Sequence, residues 1–209
     1  IVLSTWGLLV FLGLAGVAVA QTSPSEDIHA GVTGCIHSRV NAHTAHSRRT
    51  SVYGAVGQMF DLRFAHLRLG VDLTDAHLTG DVCLYLTLTQ PSDSLTISLS
   101  DTLDVNAVEW GGGAVPYERN GYTLTARLPA VVPAGASDTL RIVYAGRPRN
   151  LSFGCFRLEQ HESGPVLWTL SQPYHAQDWW PTKQTLNDKL DSVWISVVCD
   201  TAYRVAANG

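Results

Sequence analysis

After Met59 the hydrophobic period of this chain becomes two, and it holds that period through most of its remaining length. Leu67, Leu69 and Val71 alternate with His66, Arg68 and Asp72. Val82, Leu84, Leu86 and Leu88 alternate with Cys83, Tyr85, Thr87 and Thr89, and Leu95, Ile97 and Leu99 with Thr96 and Ser98. Successive side chains of a strand point to opposite faces, so this pattern buries one face and wets the other, whereas on a helix a period of two would scatter the apolar residues around the whole circumference. Turn residues punctuate the runs at Thr74-Asp-Ala, Pro91-Ser-Asp-Ser and Pro133-Ala-Gly135. Val105 to Trp110 reads as a further strand stopped by Gly111-Gly-Gly113. Asn120-Gly121, between Val115-Pro-Tyr117 and Tyr122 to Leu128, predicts a hairpin, because a type I′ turn needs positive φ at both central residues. Leu140, Ile142 and Tyr144 alternate in the next run; Arg147 to Pro165 reads as a long irregular loop. Strands are then expected at Val166 to Leu170, Val193 to Val198 and Tyr203 to Ala207. Short strands at regular spacing predict an all-β domain over 59–209, an antiparallel β-sandwich or saddle-shaped sheet.

The ends read differently. Residues 1–20 are uncharged and largely apolar and finish in Ala18-Val19-Ala20, the small-x-small pattern of a signal-peptidase site. The basic n-region is missing, so the signal peptide reads as N-terminally truncated. A run of about twenty apolar residues could also span a bilayer. The polar Gln21-Thr-Ser-Pro-Ser-Glu-Asp27 after it favours cleavage after Ala20, a secreted or periplasmic location and no stable membrane anchor. Residues 21–58 form a polar leader, weakly helical around Cys35 to Ala45. His37, His43 and His46 could place two imidazoles on one helical face there, but the polar stretch reads as a solvated leader and not as a metal site. Asn208-Gly209 is a second hairpin signal with no return strand, so the domain reads as cut at its C-terminal end.

Only 15% of the residues are charged and the formal net charge is -4, which argues against a nucleic-acid partner. Cys35, Cys83, Cys155 and Cys199 form an even set that allows three disulfide pairings, and nothing in the spacing chooses among them. Cys83, inside an alternating run, also fits a buried thiol. Their wide separations argue against a zinc knuckle.

The most unusual stretch is Val166 to Asp191. It holds Trp168, Trp179 and Trp180, three of the six tryptophans, around a polar loop closed by Pro181. Rings of that size bury much apolar area, so something packs over them. The loop is either pinned to its own sheet or forms a wall that faces a substrate.

Thr169-Leu-Ser-Gln-Pro-Tyr-His-Ala-Gln-Asp-Trp-Trp-Pro181, followed by Asp188-Lys189, resembles a segment of the aminopeptidase N (alanyl aminopeptidase) family of gluzincin zinc metallopeptidases, most closely its secreted bacterial members. The likeness extends back to Phe60-Asp-Leu-Arg-Phe-Ala-His-Leu-Arg-Leu69, similar to the family's first strand, and forward to Val205-Ala-Ala-Asn-Gly209. It implies an N-terminal β-domain bordering the substrate cleft of an exported aminopeptidase that removes N-terminal residues from peptides. Gln172 matches the position, usually glutamate, that holds the substrate's α-ammonium. Pro173, Trp179, Trp180 and Pro181 would form the loop supporting the cleft. Where the family usually has arginine, cysteine and aspartate, this chain has Gln177, Thr182 and Gln184; Pro181 and Lys189 match.

The zinc chemistry of such an enzyme needs H-E-x-x-H on a helix, with two histidines on one metal and a glutamate activating water. The only His-Glu pair is His161-Glu162; Pro165 stands where the second histidine belongs, and Gly164 and Pro165 oppose a helix. The sole methionine, Met59, likewise excludes the family's G-x-M-E-N strand. No catalytic or metal-ligating residue is therefore expected here: the zinc belongs to a catalytic domain beyond Gly209, the domain's intramolecular partner, and this chain alone should be inactive. The rival reading is a secreted β-sandwich binding or adhesion module, for carbohydrate or protein, whose tryptophan faces stack on sugar rings.

Overall fold

The computed structural model describes residues 59–150, 155–171, 174–185 and 188–207, together with the backbone of residues 2–4. Most of the signal-peptide stretch, the polar leader with its histidines and Cys35, Gln172, Pro173 and Asn208-Gly209 lie outside the described residues.

In chain order the strands are β1 (Val2–Ser4), β2 (Phe60–Asp72), β3 (His77–Leu88), β4 (Ser92–Ser98), β5 (Leu103–Trp110), β6 (Gly113–Ala114), β7 (Tyr117–Asn120), β8 (Thr123–Val132), β9 (Ser137–Gly146), β10 (Phe156–His161), β11 (Gly164–Thr169), β12 (Ser192–Val198) and β13 (Tyr203–Val205). The all-β expectation holds. The strands form a six-stranded sheet in the order β12-β2-β3-β9-β5-β6, a three-stranded sheet β4-β8-β7 and a four-stranded sheet β10-β11-β1-β13. One pairing departs from the antiparallel rule: β12 returns along β2 in parallel, with Ser192 opposite Phe64 and Val198 opposite Gly70. A parallel pair needs a long crossover. Here the crossover runs through every element between Asp72 and Ser192, including the tryptophan loop.

The long strands keep one face buried by correcting their own parity. In β2, Phe60 and Leu62 are buried, then Ala65, Leu67 and Leu69, a switch from even to odd positions. A bulge between Leu62 and Phe64 inserts the extra residue that makes the switch. Without it, the one-residue difference in register would turn Ala65, Leu67 and Leu69 outward. Strand β5 does the same: Leu103 is buried on one side of an irregularity between Val105 and Ala107, and Val108 and Trp110 on the other.

The β2–β3 turn is held by carboxylates. Asp72 accepts hydrogen bonds from the Thr74 amide (2.8 Å) and hydroxyl (2.7 Å), and Asp75 accepts one from the His77 amide (3.1 Å). Ala76 closes the turn at φ 57°, a left-handed conformation that costs a residue with a Cβ about 1 kcal/mol or more. The expected hairpin forms with its turn one residue later: Asn120 pairs with Thr123, so the loop residues are Gly121 and Tyr122, and of these Gly121 alone has positive φ, 54°, where the type I′ expectation put it on both Asn120 and Gly121.

One continuous core draws on all three sheets. Leu67, Val82, Leu84 and Ile142 come from the six-stranded sheet, Leu95, Ile97 and Leu124 from the three-stranded one, and Phe156 and Leu167 from β10 and β11. The irregular loop expected over Arg147 to Pro165 is corrected here: β10 and β11 form a two-residue hairpin with His161 opposite Gly164. In β10 only Phe156 and Leu158 carry an apolar face, and Glu159, Gln160 and Pro165 hide the alternation. The final strand is also shorter than expected, ending at Val205. Cys83, Cys155 and Cys199 are held as thiols, so no disulfide joins any two of them. No helix among the described residues is long and apolar enough to cross a membrane.

Candidate functional site

The loop between β11 and β12 is built from the inside outward. His175 donates its backbone amide to the Ser171 carbonyl (2.9 Å), and a single 3-10 turn, Ala176–Asp178, comes next. Trp180 N–H bonds the Ala176 carbonyl at 3.0 Å, so the two tryptophans leave this turn in fixed directions. Their rings sit 6.1 Å apart, tilted by 58°, and both residues are only 8% exposed. Trp179 Nε1 donates to Ser171 Oγ (3.1 Å), which ties the turn back to the loop's entry.

The turn is then tied to two sheets. Ser100 N–H donates to the Gln177 carbonyl (2.7 Å), and Thr182 makes a reciprocal antiparallel bridge with Ser98, 2.9 Å in each direction. From the six-stranded sheet, the Tyr144 hydroxyl donates to the Trp179 carbonyl at 2.8 Å. Tyr144 is 1% exposed, and burial pushes its phenol well above its usual range, so it stays a donor. Gly80 makes room for that ring: a Cβ there would lie 2.2 Å from Tyr144 Cζ. Farther along, Lys183 Nζ donates to the Asp188 carboxylate and to the Phe60 carbonyl, while Asp188 also accepts from the Leu62 amide (3.3 Å). The segment is thereby fastened to the start of β2.

A polar cluster lies under this loop. Asp178 is fully buried; one carboxylate oxygen accepts the Tyr122 hydroxyl (2.8 Å) and the other faces His175 Nδ1 (2.9 Å). Burial first, then Asp178, pushes the Tyr122 phenol well above its ordinary range, which keeps it a donor to that carboxylate. Cys155, at the foot of β10 and 1% exposed, donates its Sγ hydrogen to the Arg149 carbonyl (2.8 Å). Cys155, His175 and Asp178 each place one ligand-capable atom within 4.8 Å of the others.

The sequence-derived expectations meet this geometry unevenly. Trp179, Trp180 and Pro181 are buried against the chain's own sheets, so the loop is pinned as one of the two readings required. Gln172 and Pro173 lie outside the described residues, between the anchored Ser171 and Tyr174. Gln177 and Thr182 are buried, and Gln184 donates from Nε2 to the Tyr174 carbonyl (3.2 Å). The cluster of Cys155 with His175 and Asp178 is not legible in the sequence, because Cys155 stands alone and far upstream. The local His175–Asp178 pair is the one signal available.

A zinc site of the H-E-x-x-H type does not fit these residues. His161 ends β10 and Gly164 opens β11, so His161 and Glu162 sit on a hairpin and not on a helix. No protein-family model matches the chain, and no curated protein sequence matches it. Solved structures do. An M1 zinc metallopeptidase from Deinococcus radiodurans, a variant bound to a Tyr-Ser-Ala substrate, matches with a TM-score of 0.57 and 24% identity, over 67% of this chain and 33% of that one. The chain has the fold of one part of an M1 zinc metallopeptidase. Native yeast LTA4 hydrolase matches with the same TM-score of 0.57 at 19% identity, over 68% of this chain and 23% of that one. Its bestatin complex matches at 0.54 and 20%, over 68% and 23%. The chain spans a third or less of the length of these neighbours.

Proposed function

We propose that this chain is the N-terminal, cleft-bordering β-domain of an exported zinc aminopeptidase of the secreted bacterial type, acting on peptides, and that cleavage after Ala20 removes β1 and leaves β11 and β13 without the strand between them. The observation that carries the reading is the shared fold, one of whose holders is a zinc metallopeptidase with a Tyr-Ser-Ala substrate bound. Zinc would be held by a catalytic domain beyond Gly209 and would activate the attacking water. This chain's own contribution is positional. Gln172 would accept a bond from the substrate's ammonium group through its amide oxygen, and the chain is tied down at Ser171 before it and at Tyr174 after it. Strand β12 supports an intramolecular partner: it is an edge strand, and its Trp194 and Val198 are 65% and 74% exposed, more apolar surface than an edge facing water usually carries.

The rival binding-module reading loses its main support, since Trp179 and Trp180 are buried and offer no face to a sugar ring. The test is hydrolysis of amino-acyl chromogenic amides by the full-length gene product, with and without a chelator. Chelator-sensitive hydrolysis is expected; no hydrolysis, or hydrolysis indifferent to chelation, would overturn the reading.

A further inference from the structure

Beneath the tryptophan loop the local pair His175 and Asp178 meets Cys155 from the foot of β10, and their chemistry is not that of an ordinary core. We propose that Cys155, His175 and Asp178 form a binding site for one divalent transition-metal ion of the zinc class, a staple joining the foot of β10 to the loop. The proposal is independent of the aminopeptidase reading and concerns a different donor set from the catalytic zinc.

Thiolate sulfur, imidazole nitrogen and carboxylate oxygen are together the donors of a borderline-soft ion, whereas calcium and magnesium take oxygen alone. Metal–sulfur and metal–nitrogen bonds of about 2.3 and 2.0 Å set tetrahedral donors roughly 3.3–3.8 Å apart. The three atoms here lie within 4.8 Å of one another, so side-chain adjustments on the order of an ångström, within the rotamer freedom of Cys155 and His175, close the site. Three protein donors leave a fourth position for water.

The surroundings are those of a supported site. Tyr122 donates to one Asp178 oxygen (2.8 Å), the kind of outer bond that fixes a ligating carboxylate. Asp178 and Cys155 are 0% and 1% exposed, and their two negative charges, once the thiol is ionised, would be costly there without a cation. The nearby guanidinium of Arg149, bonded to Asp101 (2.5 Å) and over the Tyr122 ring (5.4 Å), also attracts Asp178 and so offsets part of this charge. The His175 side chain, 27% exposed, gives an ion a way in from solvent. On binding, the Cys155 S–H bond breaks, the sulfur–metal bond forms and the proton passes to solvent. The same three residue types could also make a nucleophilic triad, but a thiol buried to 1% has no room for a substrate carbonyl.

The probe is the metal alone. The 209-residue chain, stripped with a chelator and dialysed, is titrated with Zn²⁺ against a chromophoric competitor and, separately, with Co²⁺. One equivalent should bind with a thiolate-to-cobalt charge-transfer band, and zinc should raise the thermal midpoint. Cys155→Ser should abolish the band and weaken zinc binding by more than about tenfold, as should His175→Gln; Cys83→Ser and Cys199→Ser should change neither. His175 is partly exposed, so its variant serves if Cys155→Ser fails to fold. A cobalt complex without the thiolate band, or zinc binding unaffected by both variants, would place the metal on the leader histidines or nowhere and overturn the proposal.

Discussion

The bond from Tyr144 to the Trp179 carbonyl ties β9 directly to the tryptophan loop, and Tyr144→Phe removes it without removing the ring. The ring keeps its place and its apolar burial, so no hydrophobic area is lost. What is lost is a buried 2.8 Å hydrogen bond, about 1 kcal/mol net, and the Trp179 carbonyl is left without its donor in a site closed to water. The unsatisfied group raises the cost, and the total should be about 2 kcal/mol. For a domain of this size that lowers the melting temperature by roughly 4–8 °C. Urea and thermal unfolding followed by tryptophan fluorescence measure the loss. Hydrogen exchange localises it: the Trp180 amide, bonded to Ala176, should lose protection before the β3–β9 ladder does. A loss below about 0.5 kcal/mol, or uniform loss of protection across both regions, would refute the claim that this bond holds the loop down.

Two further substitutions test the frame. Ala76→Gly should stabilise the domain by about 0.5–1 kcal/mol, because it removes left-handed strain at φ 57° that outweighs the added chain entropy; unchanged or lower stability in urea would show the turn unstrained. Asp81 is held below the usual carboxylate range chiefly by its hydrogen bonds to Arg141 (2.7 and 3.0 Å). Its folded value is depressed, so the stability it contributes is full above the unfolded aspartate value and is lost as pH falls through the folded one. Asp81→Asn should therefore flatten the acid limb of the stability curve below about pH 4 while costing less than about 1 kcal/mol at neutrality; an unchanged acid limb would contradict the assignment.

The parts of the fold legible in the sequence are those where one face alone is buried. Alternation from Leu67 to Val71 and from Val82 to Leu88 marks the inner strands because their partners cover one side only. The hairpin near Asn120-Gly121 is legible because a glycine free to take positive φ is a local signal, although the turn falls on Gly121-Tyr122 and not on Asn120-Gly121. The β10–β11 hairpin is not, since its strands bury little, and neither is the parallel run of β12 on β2, since strand direction is set by the crossover and not by side-chain pattern. The tryptophans announce a packed loop without saying which surface they meet. Asp178 gives no sign of burial, because its partners Tyr122 and Cys155 come from distant parts of the chain and only the fold brings them together.

Whether the loop between β11 and β12 sets Gln172 at a substrate cleft, the central claim, is tested most directly by one comparison. Gln172→Glu in the full-length enzyme would set a carboxylate opposite the substrate's ammonium. Replacing a neutral hydrogen bond with a charge-assisted one is worth about 1 kcal/mol, or roughly a fivefold gain in kcat/KM for peptides with a free amine. Peptides with an acetylated amine should gain nothing. Equal changes on both substrates, or a lower melting temperature with unchanged discrimination, would contradict the claim and leave Gln172 as a loop amide serving its own backbone.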